Sequence, residues 1–246
     1  MIDFYTLILT AFATIITLTV HEFSHGYMAY KLGDPTAKNL GRLTLNPIKH
    51  IDPIGAVCML FFHVGWAKPV PISLRYFKKP KRDFALTALA GPVSNLVIAI
   101  LSALIFQFIL AFYTTASISV AFTVSIIEAM LTFFYILHLI NIGIAVFNLI
   151  PIPPLDGSRI LNAILPDRIY YKIMKNERTI FYILLGWLVI GDYAVSILLS
   201  LPLISGSTVL STIVRYMSLN EILGALINAL SSLIFKAWKL IPFLDV

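Results

Sequence analysis

Charge is scarce in this sequence. Only 12% of its 246 residues are Asp, Glu, Lys or Arg, while 59% are hydrophobic, and the mean hydropathy is +0.91. A soluble domain carries about 25% charged residues. Too little polar material is present to cover a water-facing surface, so the chain reads as a multi-pass integral membrane protein. Cysteine is almost missing as well. Cys58 stands alone, which excludes an intramolecular disulfide framework and a cysteine-based metal site. The first hydrophobic run has no basic stretch before it and is too long for a cleavable signal peptide. No repeat, low-complexity tract or soluble accessory domain is visible, and residues 1–246 read as one domain.

The few charges are unevenly placed. Ten of the 18 Lys and Arg lie in residues 31–82 and five in residues 156–178, and none lies between Asp83 and Asp156. Basic residues gathered in short loops between apolar runs mark the cytoplasmic side of a membrane protein. The net charge of +6 therefore reports topology, and no nucleic-acid partner is expected. Lys78, Lys79, Lys81 and Arg82 fit a membrane surface with anionic lipid contact.

A transmembrane helix needs about 20 mainly apolar residues. Runs of that kind extend from about Phe4 to Tyr30, Asp83 to Tyr113, Val120 to Ile150 and Thr179 to Leu201. Glu221 to Leu240 reads either as a last span or as an interfacial helix anchored by Lys236, Trp238 and Lys239. The expected fold is an all-α bundle of about four to six spans, with a catalytic core over 4–160 and C-terminal helices over 179–246. One piece breaks the pattern. Ile54 to Gly65 is apolar but too short to cross, and it lies between two basic flanks. GRLTLNP (Gly41 to Pro47) alternates apolar and polar residues, and GWAKPVPIS (Gly65 to Ser73) is punctuated by proline. These features predict a membrane-embedded β-hairpin or sheet after the first span. Such backbone is tolerated at that depth only where it is buried in protein or lines a wet cavity.

Against this apolar background, LTVHEFSHGYMAY (Leu18 to Tyr30) carries His21, Glu22 and His25 inside the first span. A charged residue at the centre of a membrane helix costs roughly 2.5–3.5 kcal/mol, so something must compensate. Residues i and i+4 share a helix face. His21 and His25 can therefore direct two imidazole nitrogens at one zinc ion, with Glu22 beside the metal as a proton acceptor. Composition alone would produce HExxH in roughly one such sequence in 600. Two buried core histidines are the alternative, and it is weakened because ionisable groups within a membrane are functional by default.

A catalytic zinc site usually has three protein ligands and an open position. His138, Glu128, Asp156 and Asp192 are the candidates for the third. Asp156, in NLIPIPPLDGSRI (Asn148 to Ile160), fits best by depth, since it and His25 both fall at the cytoplasmic end of a span. His50 and His63 read as polar or interfacial residues.

HEFSH in a membrane helix, AGPVSN (Ala90 to Asn95) and NLIPIPPLDG together, in that order over residues 4–160, resemble the site-2 protease family of intramembrane zinc metalloproteases. The likeness is closest to short members without PDZ or CBS modules. The resemblance implies one zinc ion per chain held by His21, His25 and Asp156, with Glu22 as catalytic base. It implies that Asn148 positions substrate or stabilises the oxyanion. It also implies that Ala90, Gly91 and Ser94 let a second helix approach the HExxH helix closely, and it leaves Asn95 as helix glue or as a site residue. The implied activity is hydrolysis of peptide bonds within or near transmembrane segments, at the cytoplasmic face of a prokaryotic plasma membrane. Transmembrane proteins would be the substrates, lipids the surroundings, and membrane proteins possible regulators. An unwound substrate could pair with an edge marked by Gly65, Pro69 and Pro71; an ordinary interfacial hairpin is the other reading. A zinc-binding membrane protein without proteolysis would have no use for Glu22. An ion transporter would be expected to show two related halves.

Overall fold

The computed structural model describes residues 4–53, 55, 67–116, 121–215, 218–241 and 244. Four of its helices are long and apolar enough to cross a membrane: α1 (Phe4–Lys31), α3 (Pro80–Thr115), α4 (Ala121–Asn148) and α10 (Leu219–Trp238). A fifth is added if α7 (Glu177–Ser200), bent by 49° between its halves, is one span. The short helices are α2 (Thr36–Asn39), α5 (Asp156–Asn162), α6 (Asp167–Lys175), α8 (Pro202–Ser205) and α9 (Thr208–Arg215). The tail run that the sequence leaves open is thus a helix of spanning length.

The bundle is inverted relative to a soluble protein. In α1 the buried residues are Ala13, Thr17, Thr19, His21, His25, Gly26 and Ala29, while Phe4, Ile8, Phe12 and Ile16 are exposed. In α3, Ala88, Gly91, Asn95 and Ala99 face inward, and Leu89, Val93, Val97 and Leu101 face out. Lipid is as apolar as leucine, so burying leucine between helices gains little there. Small residues that permit close approach and polar groups that bond across helices hold such a bundle together.

Two buried polar groups show the second device. His138 of α4 donates from Nδ1 to the Ala99 carbonyl of α3 at 2.9 Å, which leaves Nε2 to accept from the Ser231 hydroxyl of α10, also at 2.9 Å. Asn141 donates to Thr17 Oγ1 of α1 at 2.8 Å. Interhelical bonds of this kind contribute about 1 kcal/mol each, and these three join α4 to α3, α10 and α1.

The end of α1 is set by local chemistry. Gly33 adopts φ +109, a region that other residues rarely enter. The Asp34 N–H then closes back on the Ala29 carbonyl at 2.9 Å, the six-to-one bond of a Schellman turn. Asp34 is fully buried and accepts from the Thr36 backbone, the Thr36 hydroxyl and the Ser73 N–H. One carboxylate therefore fixes both the exit of α1 and the segment 67–73.

The embedded β-hairpin or sheet expected after α1 is not found. Among the described residues there is no strand. Gly41 to Pro47 forms turns and bends, with Gly41 at φ +64, and leads into a 3-10 turn over Pro47–Lys49 capped by Asn46. The alternation in GRLTLNP reflects a chain folded over the end of α1 rather than a pleated strand. Among the described residues one antiparallel bridge is present, Ile51 with Ala67, and beyond it 68–73 belongs to no helix or strand. Ile54, residues 56–66 and so the candidate edge residue Gly65 and His63 lie outside the described residues.

Candidate metal centre

His21 and His25 fall on the buried face of α1 because four residues return the helix to the same side. Asp156 arrives from elsewhere. After Asn148 ends α4, the prolines at 151, 153 and 154 prevent helix from continuing, and helix resumes as α5 with Asp156 in its first turn. Gly157 permits the fold-back. A Cβ there would strike the carbonyl oxygens of Leu149 and Ile150.

The three side chains converge. His21 Nε2 and His25 Nε2 are 3.0 Å apart, and each lies 3.2 Å from Asp156 Oδ2. Ligands about 2.05 Å from a tetrahedral zinc ion stand about 3.3 Å from one another. The triangle is one slightly contracted face of that tetrahedron, with the fourth corner left open. The donor set fits the ion on a second count. His25 Nδ1 donates to the Thr87 carbonyl of α3 at 2.8 Å, so a neutral His25 turns a bare lone pair inward. Asp156 Oδ2 is buried, and the two imidazole nitrogens are the polar groups facing it. Lone pairs this close repel one another unless a cation sits between them. Asp156 lies beyond the end of α4; burial pushes its carboxyl up, but hydrogen bonds and charge from His21 and His25 outweigh that and hold it at about 2. It is an anion ready to ligate.

Close packing of α3 makes the arrangement possible. A Cβ on Gly91 would come within 2.5 Å of His25 Cε1 and Nε2 and 2.6 Å of His21 Cε1. No side chain fits there. One residue on, Pro92 lacks the N–H that would otherwise return to the carbonyl of Ala88, a residue of the cavity wall.

The cluster opens into a cavity of about 330 Å³ lined by Glu22, Pro69, Val70, Ile72, Phe84, Ala88, Asn148, Pro154 and Arg159 as well as the three converging residues. Glu22 Oε2 accepts from the Val70 backbone N–H at 2.8 Å. Asn148 reaches the same cavity from the last turn of α4, where its Nδ2 donates to the Ile144 carbonyl at 3.0 Å. All five residues singled out in the sequence therefore surround one space. Of the other ligand candidates, Glu128 does not line the cavity, and the side chain of Asp192 lies outside the described residues. His138 is spent on Ala99 and Ser231 in the bundle core, and the one group of three His, Cys, Asp or Glu residues close enough to share an ion, among the described residues, is His21, His25 and Asp156. His50 is buried and its Nε2 donates to the Thr44 carbonyl, so it is a structural residue.

Sequence reasoning missed three participants. The Thr87 carbonyl and the Val70 N–H are backbone groups and carry no sequence signal. Arg159 could have been found, because it follows Asp156 by three residues in α5 and so shares its face. Its guanidinium bonds Glu177 Oε1 of α7 at 2.7 Å and lies 5.6 Å from the Phe84 ring centre.

A polytopic fold built around such a cluster is that of a membrane metallopeptidase. Comparison with known proteins supports this. The family model described as peptidase family M50 matches residues 9–190. "Putative zinc metalloprotease YwhC" of Bacillus subtilis (strain 168) is 41% identical over 181 residues, 73% of this chain and 80% of that protein. "Putative zinc metalloprotease Rip2" of Mycolicibacterium smegmatis is 32% identical, over 58% of this chain and 52% of its own length. "Zinc metalloprotease MJ0392" of Methanocaldococcus jannaschii is 29% identical, over 66% of this chain and 35% of its own length. No solved structure matches. The chain belongs to peptidase family M50, the site-2 proteases. It is a zinc metalloprotease of the membrane.

Proposed function

We propose that this protease cuts peptide bonds within or near transmembrane segments of membrane proteins, working at the cytoplasmic face of a prokaryotic plasma membrane, with residues 1–246 acting as one domain. The observation that carries the proposal is the position of the His21–His25–Asp156 triangle. It lies inside a bundle whose outer surface suits lipid, at the end where α1 finishes in Lys31 and α3 begins with Lys81 and Arg82. By the charge rule that end is cytoplasmic.

In this reading His21, His25 and Asp156 hold zinc. The ion, when bound, supplies a Lewis acid that polarises the scissile carbonyl and acidifies water. Glu22 takes the proton of the attacking water and passes it to the leaving amine. The Val70 N–H fixes one oxygen of that carboxylate, which keeps the group at a set angle to the open corner of the triangle. The Asn148 carboxamide faces the same cavity and orients the substrate carbonyl. A helical substrate must first unwind, because its own helix occupies and covers its amides. The extended stretch Pro69 to Ile72 suits the unwound form. Pro69 and Pro71 have no N–H, and among the described residues nothing donates to the carbonyls of this stretch. It offers acceptors to the N–H groups that unwinding frees.

The test is cleavage of a panel of single-pass membrane proteins by the purified enzyme in lipid, wild type against Glu22→Gln at matched zinc content. Cleavage by the wild type alone supports the reading. Zinc bound in both with every substrate intact would overturn it.

A further inference from the structure

The two histidines are not equally supported. His25 has its Nδ1 proton placed on the Thr87 carbonyl at 2.8 Å. His21 Nδ1 is buried and has no hydrogen-bond partner among the described residues. A histidine whose Nε2 ligates a metal almost always donates its other ring N–H to a carbonyl, a carboxylate or water. Leaving a buried donor unpaired is costly.

One turn along α3 from Gly91 sits Asn95, a carboxamide with the complementary deficit. Asn95 is 0% exposed, and neither its Oδ1 nor its Nδ2 has a partner. The register between the helices sets what it faces. Thr87 is level with His25, and Gly91 touches both imidazole rings. Each further four residues of α3 advance about 6 Å, from His25 toward His21 and then Thr17. Asn95 therefore faces α1 between His21 and Thr17. Asn141 of α4 reaches the same stretch, where it donates to Thr17 Oγ1 and leaves its own Oδ1 unpartnered. Two helices thus bring unpaired amide atoms to the stretch of α1 that carries His21, whose Nδ1 has no acceptor.

We infer that Asn95 is the positioning residue of His21: its side-chain carbonyl takes the His21 Nδ1 proton, directly or across one water shared with Asn141. That bond fixes the tautomer in which Nε2 carries the lone pair, and it holds the ring at the angle the triangle requires. It does for His21 what the Thr87 carbonyl does for His25. The inference rests on the zinc reading above.

The experiment measures zinc affinity of the purified full chain by competition with a chelator, together with the absorption spectrum of the Co2+-substituted protein and the thermal midpoint of the metal-free form. Asn95→Ala is expected to weaken zinc roughly 10- to 100-fold and to alter the Co2+ spectrum. Asn95→Asp retains an acceptor and should stay within about threefold of wild type. Asn95→Val, nearer in volume and without an acceptor, replaces the alanine variant if that one does not fold. A residue serving only to pack the helices would shift the metal-free midpoint and leave affinity and spectrum alone. Wild-type affinity in Asn95→Ala, or equal losses in Ala and Asp, would overturn the role. Wild-type protein that takes up no zinc would instead remove the metal site, and the Asn95 role with it.

Discussion

Glu22 and Val70, far apart in sequence, meet through a 2.8 Å hydrogen bond from the Val70 N–H to Glu22 Oε2. The contact joins the HExxH helix to the extended segment that walls the cavity. The carboxylate at the reacting centre and the backbone proposed to receive substrate are therefore held as one unit. Glu22→Gln keeps the shape and still accepts from Val70, but it cannot take a proton. Cleavage should fall by roughly 10²–10⁴-fold, the usual contribution of general base catalysis, with zinc content by atomic absorption unchanged.

Asp156→Asn tests the ligand set. An amide oxygen carries no charge and is a poorer partner for zinc than a carboxylate. Zinc per chain should fall well below one after dialysis against a mild chelator, and cleavage should fall with it. Wild-type protein stripped by the same chelator should regain cleavage when zinc is restored. The variant should not.

Gly91→Ala adds a methyl group where the two imidazole rings already lie within 2.6 Å of the Cβ position. Either α3 backs away or the rings turn. Overpacking of this kind costs about 1–3 kcal/mol, and a turned ring loses its aim at the metal. The expected result is a lower thermal midpoint and at least tenfold weaker zinc binding, about 1.4 kcal/mol. Gly224→Ala is the control, because nothing lies within 4 Å of its Cβ position; it should leave zinc affinity unchanged and should not lower the midpoint, since alanine is the better helix former.

Two ion pairs join the basic end of the bundle, and they should behave differently. Lys81 and Asp167 are 2.6 Å apart but their side chains are 45% and 68% exposed, so water screens them and Lys81→Ala should leave stability almost unchanged. Arg159 and Glu177 are 22% and 29% exposed, and Arg159 also packs on Phe84 beside the cavity. Arg159→Ala should lower the thermal midpoint measurably, by about 1 kcal/mol in stability, and should reduce cleavage. Glu177→Ala should give a smaller loss of the same kind, because it frees the guanidinium without removing it.

The helices were legible in the sequence because each is a long apolar run, and lipid enforces that length. His21, Glu22 and His25 were legible because helical spacing turns a sequence interval into a direction. Asp156 could be ranked by depth but not placed, since its position depends on how the chain returns after the prolines. The fold-back that Gly157 allows is a tertiary fact. The segment 41–73 misled for a physical reason. The alternation over 41–47 belongs to turns and bends, and the proline-punctuated stretch 67–73 is pinned not by a sheet but by single side chains, those of Asp34, Arg42 and Glu22. Asn95 was visible as a polar residue in a membrane helix, but its unpaired state required coordinates.

The fold-back after α4 also bears on when the enzyme can come alive. His21 and His25 emerge early in translation, and Asp156 leaves the ribosome only after α3 and α4 have been made. Until then the nascent chain holds half a site in the lipid, with a histidine pair too weak to retain zinc. Metal capture is thus deferred until the helices around it can assemble, and ligation then locks the assembled bundle. If its targets are transmembrane segments, as proposed, the enzyme is inert through the period when its own spans lie unpaired beside it in the membrane.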